Sequence, residues 1–238
     1  MYAKYKKKPD FVTTGESIGF VMEAERGKRH YHTGDLLKFS ITLFGDTIVY
    51  FNPLIQGIHM LGQVGLGERQ VKYQIQTIKN RIGESLLEGG NIYCEKYQIE
   101  LLQDYVEMRK KQLINPHKII FQKPLTIKYR GEFIHKFDIK AIMNGVTRRI
   151  YILNCYEGND TEETKFYENL PQIVKQHVED KQIEQHSFRK KQDMKMKGII
   201  GTVEVDEIRE EILDYLLAGE ILHIGKNTRF GFGKYRIS

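Results

Sequence analysis

Histidine titrates near neutrality, so it is the first side chain to weigh for proton transfer. The chain has eight histidines. His30 and His32 alternate about Tyr31, and in an extended segment they share one face. Arg26, Lys28 and Arg29 stand beside them. One histidine to take a proton, Tyr31 to position, and Lys28 to clamp an anion would suffice for acid–base chemistry at a phosphate ester without a metal. The same knot also reads as a basic surface turn, because Thr33-Gly34-Asp35 follows it. His59 lies beside an apolar helical stripe and reads as packed or hydrogen-bonded. His117, His135, His177 and His186 fall in polar stretches and read as solvated. No metal is expected, since H-E-x-x-H, paired Cys/His clusters and D-x-D are absent. No cofactor is expected either: there is no Walker A motif, and the glycines at 62, 65 and 67 do not make G-x-G-x-x-G.

A second constellation closes the chain: GEILHIGKNTRFGFGKYRIS, residues 219–238. It reads as a short apolar strand (Ile221, Leu222, Ile224), a loop with Lys226, Asn227 and Arg229, and a strand from Lys234 to Ile237. Gly225, Gly231 and Gly233 permit positive φ and close approach of another backbone. No acid falls between Gly225 and Ser238. Cations and amides in such a loop suit a phosphodiester backbone, although glycine-rich hairpins are also plain turns. His223 stands just ahead of it and is the other histidine to weigh.

The elements that would carry these residues occur twice. Residues 46–78 and 206–237 each hold a helix-period segment, a Gly-x-Gly and a basic alternating strand, and each follows an apolar strand. The helical stripes are Phe51, Leu54, Ile55 and Ile58 in one copy, and Ile208, Ile212, Tyr215 and Leu216 in the other. The preceding strands are 37–44 and 199–205. Strand, helix, glycine loop, strand is the second half of a β-α-β-β-α-β unit. The expected architecture is α+β, with two ferredoxin-like (RRM-like) domains in tandem: 1–115, then 116–238 with the glycine loop.

Four blocks carry a resemblance: TGDLLKFSITLFG (33–45) with LGQVGLGERQVKYQI (61–75), FDIKAIMNGVTRRIYIL (137–153), MKGIIGTVEV (196–205) and HIGKNTRFGFGKY (223–235). In this order they resemble the CRISPR-associated Cas-six precursor-crRNA-processing endoribonucleases of the RAMP superfamily. The resemblance implies two ferredoxin-like domains that bind CRISPR repeat RNA. It also implies metal-independent cutting by 2′-hydroxyl attack, which leaves a 2′,3′-cyclic phosphate. RNA contacts are then expected from His223, Gly225, Lys226, Asn227, Arg229, Gly231, Gly233 and Lys234, with Arg148 and Arg149 lining a groove. Only about thirty residues precede Thr33, and they do not read as the strand and helix found there in the family. The first domain is therefore expected to be incomplete, which raises an alternative: a non-catalytic crRNA-binding subunit of an effector complex. Expected partners are repeat RNA, other CRISPR-associated proteins and a second copy of the chain.

Composition fits these readings. The chain has 238 residues, 40% hydrophobic and 29% charged, with net charge +6, which favours polyanionic partners. MYAKYKKKPD lacks an apolar signal core and no run approaches membrane-spanning length, so a cytoplasmic protein is expected. Cys94 and Cys155 form no C-x-x-C. Further expected elements are a strand around 18–22, strands at 71–79 and 92–102, and a polar helix or loop at 104–111. Two strands split by Pro124 are expected in 118–129, and helices at 135–154 and 159–175. A polar connection at 176–197 would carry a phosphate-contact strip of Arg189, Lys190, Lys191, Lys195 and Lys197.

Overall fold

The computed structural model describes residues 19–24, 30–67, 69–93, 97–166, 168–187 and 192–238. Its organising element is a four-stranded antiparallel sheet built from β5 (Lys118–Leu125), β8 (Ile173–Ser187), β9 (Gln192–Val205) and β10 (Tyr235–Ile237), in the order β10-β5-β9-β8. Helix α3 (Ile139–Glu157) follows β5, and α4 (Glu210–Leu222) follows β9. This is a complete β-α-β-β-α-β unit.

Helix α3 forms because one face repeats apolar residues with helical period. Ile139, Ile142, Met143 and Val146 are buried on the sheet. Asp138 caps its start by accepting from the Ala141 N–H at 3.0 Å, and Gly158 ends it in the left-handed region. The core joins these residues to Ile119, Phe121, Leu125, Ile199 and Val203 from the sheet, and to Ile212, Leu216 and Leu217 from α4. Pro124 does not split β5 in two. It sits in a register shift between Phe121 and Leu125, where a strand tolerates the missing donor.

Upstream, β1 (Phe20–Ala24) pairs antiparallel with β2 (Phe39–Leu43), and α1 (Phe51–Val64) follows. Two-residue hairpins are formed by β3 (Leu87–Glu88) with β4 (Asn91–Ile92), and by β6 (Lys128–Tyr129) with β7 (Glu132–Phe133). Helix α2 (Leu102–Gln112) packs against α4. Among the described residues no helix is long and apolar enough to cross a membrane.

Several expected elements differ. The strand at 71–79 is reduced to two isolated bridges, Val71 with Leu66 and Lys79 with Ser85, so among the described residues the first repeat copy lacks its closing strand. The strand at 92–102 is reduced to β4, and Leu102 already begins α2. Residues 159–175 are not helical among the described positions, and β8 starts at Ile173. The supposed connection at 176–197 is most of a long hairpin. It reads as polar because β9 pairs with β5 only from Glu204 to Ile199, and among the described residues its first half has β8 as its one strand partner. Ile221 and Leu222 end α4 rather than form a strand.

Candidate functional site

The glycine-rich loop is laid backbone to backbone on the irregular end of β5. The Lys226 N–H donates to the Thr126 carbonyl at 2.7 Å and the Gly233 N–H to the Pro124 carbonyl at 2.8 Å. The Ile224 N–H donates to the Gly233 carbonyl at 3.3 Å. A β-carbon at Gly233 would overlap the Ile224 carbonyl oxygen, and one at Gly225 the Thr126 carbonyl oxygen. Both glycines also have positive φ, at +70° and +82°. Their close neighbour is thus this chain's own strand. Between these anchors, Asn227 adopts a left-handed conformation and starts a short 3-10 turn, Thr228–Phe230, closed by Gly231. Phe230 and Gly231 donate their N–H groups within this turn.

The loop's cations differ in availability. Lys226 is exposed, with its ammonium 5.3 Å from the Phe133 ring centre. The Arg229 guanidinium lies 4.8 Å from the Phe230 ring. Lys234 is neutralised by Glu23 of β1, Nζ to Oε1 at 2.8 Å. Strand β1 itself rests on the 3-10 turn. A β-carbon at Gly231 would approach the Met22 carbonyl oxygen to 3.2 Å, so the upstream hairpin and the glycine loop are in contact.

His223 is 2% exposed and lies beneath this loop. Its Nδ1 faces the Phe232 carbonyl oxygen at 3.2 Å, and its Nε2 lies 3.9 Å from Glu23 Oε2. Burial pushes its pKa down to about 4, against the opposing pull of Glu23. A neutral imidazole donating from Nδ1 satisfies this geometry, and the ring is packed rather than presented to a ligand. Arg149 is also internal: its Nε donates to the Leu222 carbonyl at 3.1 Å, closing the end of α4, and its guanidinium lies over Phe44 at 5.7 Å. Arg148, one residue earlier, is exposed.

Of the expected catalytic set, Lys28 lies outside the described residues. His30, Tyr31 and His32 are exposed in the connection between β1 and β2 and are not part of either strand. The His32 N–H donates to Asp35 Oδ2 at 2.8 Å, which fixes the turn. His59 is exposed and hydrogen-bonded to Gln63 at 3.2 Å. Arg189, Lys190 and Lys191 lie outside the described residues, while Lys195 and Lys197 are exposed on β9.

A cleft of about 340 Å³ opens where β1 and β2 meet the β10 edge and α2, lined in part by Glu23, Tyr105, His223, Lys234 and Arg236. Its charges largely pair with one another: Lys234 with Glu23, and Arg236 with the buried Glu220 at 3.6 Å. Sequence reasoning passed over Glu220 and Phe133. Glu220 had a signal, as the lone acid in the apolar run 216–222. Phe133 had a weaker one, as an aromatic in the cation-rich turn KYRGEF.

The sheet order, the paired helices and the seated loop define a ferredoxin-like domain with a C-terminal glycine-rich loop. Residues 119–235 match the family model of the CRISPR-associated endoribonuclease Cas6, so this half of the chain is a Cas6-type domain. Residues 4–103 match a separate model, described as an N-terminal domain. An uncharacterized protein of Archaeoglobus fulgidus is 27% identical over 209 residues, 84% of this chain and 66% of that protein. The fold matches a Cas6 product complex with TM-score 0.53 at 15% identity, covering 94% of this chain and 84% of that one. It matches Thermus thermophilus Cas6 with TM-score 0.51 at 11% identity, over 94% and 80% of the two chains. It also matches a partial Cas6-RT-Cas1–Cas2 complex with TM-score 0.55 at 14% identity, over 94% of this chain and 40% of that one. The tandem ferredoxin-like architecture is thereby shared along nearly the whole chain.

Proposed function

We propose that the chain binds CRISPR repeat RNA and cuts it without a metal, as two domains that divide near residue 115. The observation that carries this reading is the Cas6 family match over 119–235, which spans β5 to β10 and includes the whole seated loop. In the proposed reaction the RNA 2′-oxygen attacks the adjacent phosphorus and the 5′-oxygen leaves, giving a cyclic phosphate. One of His30 and His32 takes the 2′-hydroxyl proton and the other protonates the leaving oxygen; Lys28 and Tyr31 hold the phosphate. Lys226, Arg229 and Arg148 supply contacts along the backbone. Placement supports this arrangement. β1 lies on the glycine loop, and the six Cα-to-Cα steps from Ala24 to His30 span at most roughly 20 Å when extended. Other CRISPR-associated proteins are proposed as partners.

The reading is tested with the purified protein, repeat RNA from its own organism and EDTA on a denaturing gel. A single cut with a cyclic-phosphate end, lost in the His30→Ala/His32→Ala double variant, is expected. A second reading, an RNA-holding subunit, is favoured by the sealing of His223, the histidine nearest the loop. Tight salt-sensitive binding without a cut would select it.

A further inference from the structure

Many apolar side chains of this protein are exposed, so exposure alone distinguishes none of them. Phe133 differs in its company. It ends the short β6–β7 hairpin, is 46% exposed, and has two ammoniums beside its ring: Lys128 Nζ at 5.0 Å and Lys226 Nζ at 5.3 Å from the centre. Among the described residues neither lysine has an acidic partner within 4 Å, although Glu132 is next in sequence. Two like charges drawn to one ring are each attracted to its π face. Four residues beyond Lys226, Phe230 is 39% exposed and carries Arg229 over its ring.

The geometry holding Phe133 near the glycine loop is fixed by backbone. The Lys226 N–H is bound to the Thr126 carbonyl at 2.7 Å, two residues before β6 begins. The Ile134 N–H donates back to the Ile127 carbonyl at 3.2 Å, and Gly131 turns the hairpin with φ +88°. The ring and the loop are thus tied through one short stretch of chain.

We propose that Phe133, with Phe230 as a second platform, stacks an unpaired nucleobase of RNA, while Lys128 and Lys226 take the flanking phosphates. The inference rests on the RNA-binding reading above and names its subsite. A half-exposed phenyl ring offers a flat apolar face that any base can cover, and cations beside it match the charge of the adjoining backbone. Bases within a duplex are already stacked on both faces, so the site selects single-stranded segments.

The chain contains no tryptophan, so Phe133→Trp installs a single tryptophan at the platform, whose emission is excited selectively to the red of tyrosine absorption. Titration with a 20-nucleotide oligouridylate is expected to quench this emission as binding saturates, whereas an abasic oligomer of the same length binds without quenching. Phe133→Leu keeps an apolar side chain but removes the π face. It is expected to weaken oligouridylate binding roughly 5- to 100-fold, with an unchanged slope of affinity against salt. Phe133→Tyr is expected to retain affinity, and Lys226→Ala to lower the slope by about 0.7. Wild-type affinity in the Leu variant, with no quenching in the Trp variant, would overturn the stacking site and leave the RNA-binding reading intact. Failure of the wild type to bind either oligouridylate or repeat RNA would overturn both.

Discussion

Arg109 on α2 grips both oxygens of Glu220 on α4: Nε donates to Oε2 at 2.8 Å and Nη2 to Oε1 at 3.1 Å. Their side chains are only 4% and 2% exposed. The Tyr105 hydroxyl donates to Oε2 at 2.8 Å and the Ile237 N–H to Oε1 at 2.6 Å, so the carboxylate is fully engaged. Removing one partner of such a pair strands the other charge in a poor solvent. Arg109→Met is expected to cost roughly 3–5 kcal/mol in urea unfolding. Tyr105→Phe is expected to cost roughly 1–3 kcal/mol. The double variant should cost less than their sum, because both act on one acceptor.

Burial, followed by the Glu220 charge, raises the Tyr105 hydroxyl to about 12 from an ordinary 10. The folded state therefore holds this proton more tightly than the unfolded chain does. The resulting stabilisation is complete below pH 10 and disappears as the pH climbs through 12. An ultraviolet phenolate titration of wild type minus Tyr105→Phe should show a late step near pH 12. A difference step at pH 10 would contradict the buried placement.

His223 works in the opposite direction. Its pKa falls to about 4, mainly by burial, against an ordinary 6.5. Unfolded chains bind this proton first on acidification. The contribution is present above pH 6.5 and is lost as the pH falls through 4, to a total of about 3 kcal/mol. His223→Asn adopts the same strained backbone (φ +56°, ψ 157°) that the histidine already bears and keeps a donor for Phe232. Unfolding of this variant should depend less on pH between 6.5 and 4, and an NMR titration of the wild-type ring should place its midpoint near 4.

Gly233→Ala must displace the Ile224 carbonyl and also adopt positive φ, and is expected to lose roughly 2–4 kcal/mol. Gly34→Ala is the control. Its φ is +91° but nothing lies near the added carbon, so conformational strain of roughly 1–2 kcal/mol is the whole expectation. Equal thermal shifts in the two variants would refute the seated-loop packing.

The neighbouring arginines of α3 should separate in one experiment. Arg149→Ala uncaps the Leu222 carbonyl and is expected to lower stability by roughly 1–3 kcal/mol while leaving the salt dependence of RNA binding unchanged. Arg148→Ala, at an exposed position, should leave stability within about 0.5 kcal/mol. On the proposed RNA reading it lowers the salt slope by about 0.7. Filter binding across a salt series, paired with thermal melts, resolves the two.

What was legible in the sequence follows from how each element meets its surroundings. Helix α3 announced itself because one face is buried and the other wet, which imprints a helical period on Ile139, Ile142, Met143 and Val146. The far half of the β8–β9 hairpin shows little of that contrast, with Met196 buried between the exposed Lys195 and Lys197. Before Ile199, β9 pairs with β8 and not with β5, and its alternation from Met194 to Lys197 is too short to announce a strand. The glycines of the loop were readable as positive-φ positions, but not the strand they press against, since Pro124 and Thr126 lie about a hundred residues away. Separation along the chain likewise hid Arg109 from Glu220. His223 and Arg149 looked available because their neighbours are basic and glycine-rich, and only the packing of α3, α4 and β1 shows them enclosed.

The Arg109–Glu220 pair also takes up both polar groups of Ile237: Glu220 accepts its N–H, and Arg109 donates to its carbonyl at 3.0 Å. Strand β10 is the outermost of its sheet. An outer strand with vacant amide and carbonyl groups is a template on which a second molecule can add its own strand. The ion pair blocks that template, so it protects solubility as well as stability. Losing it would open a path to edge-to-edge aggregation, which a denaturation curve alone would not reveal.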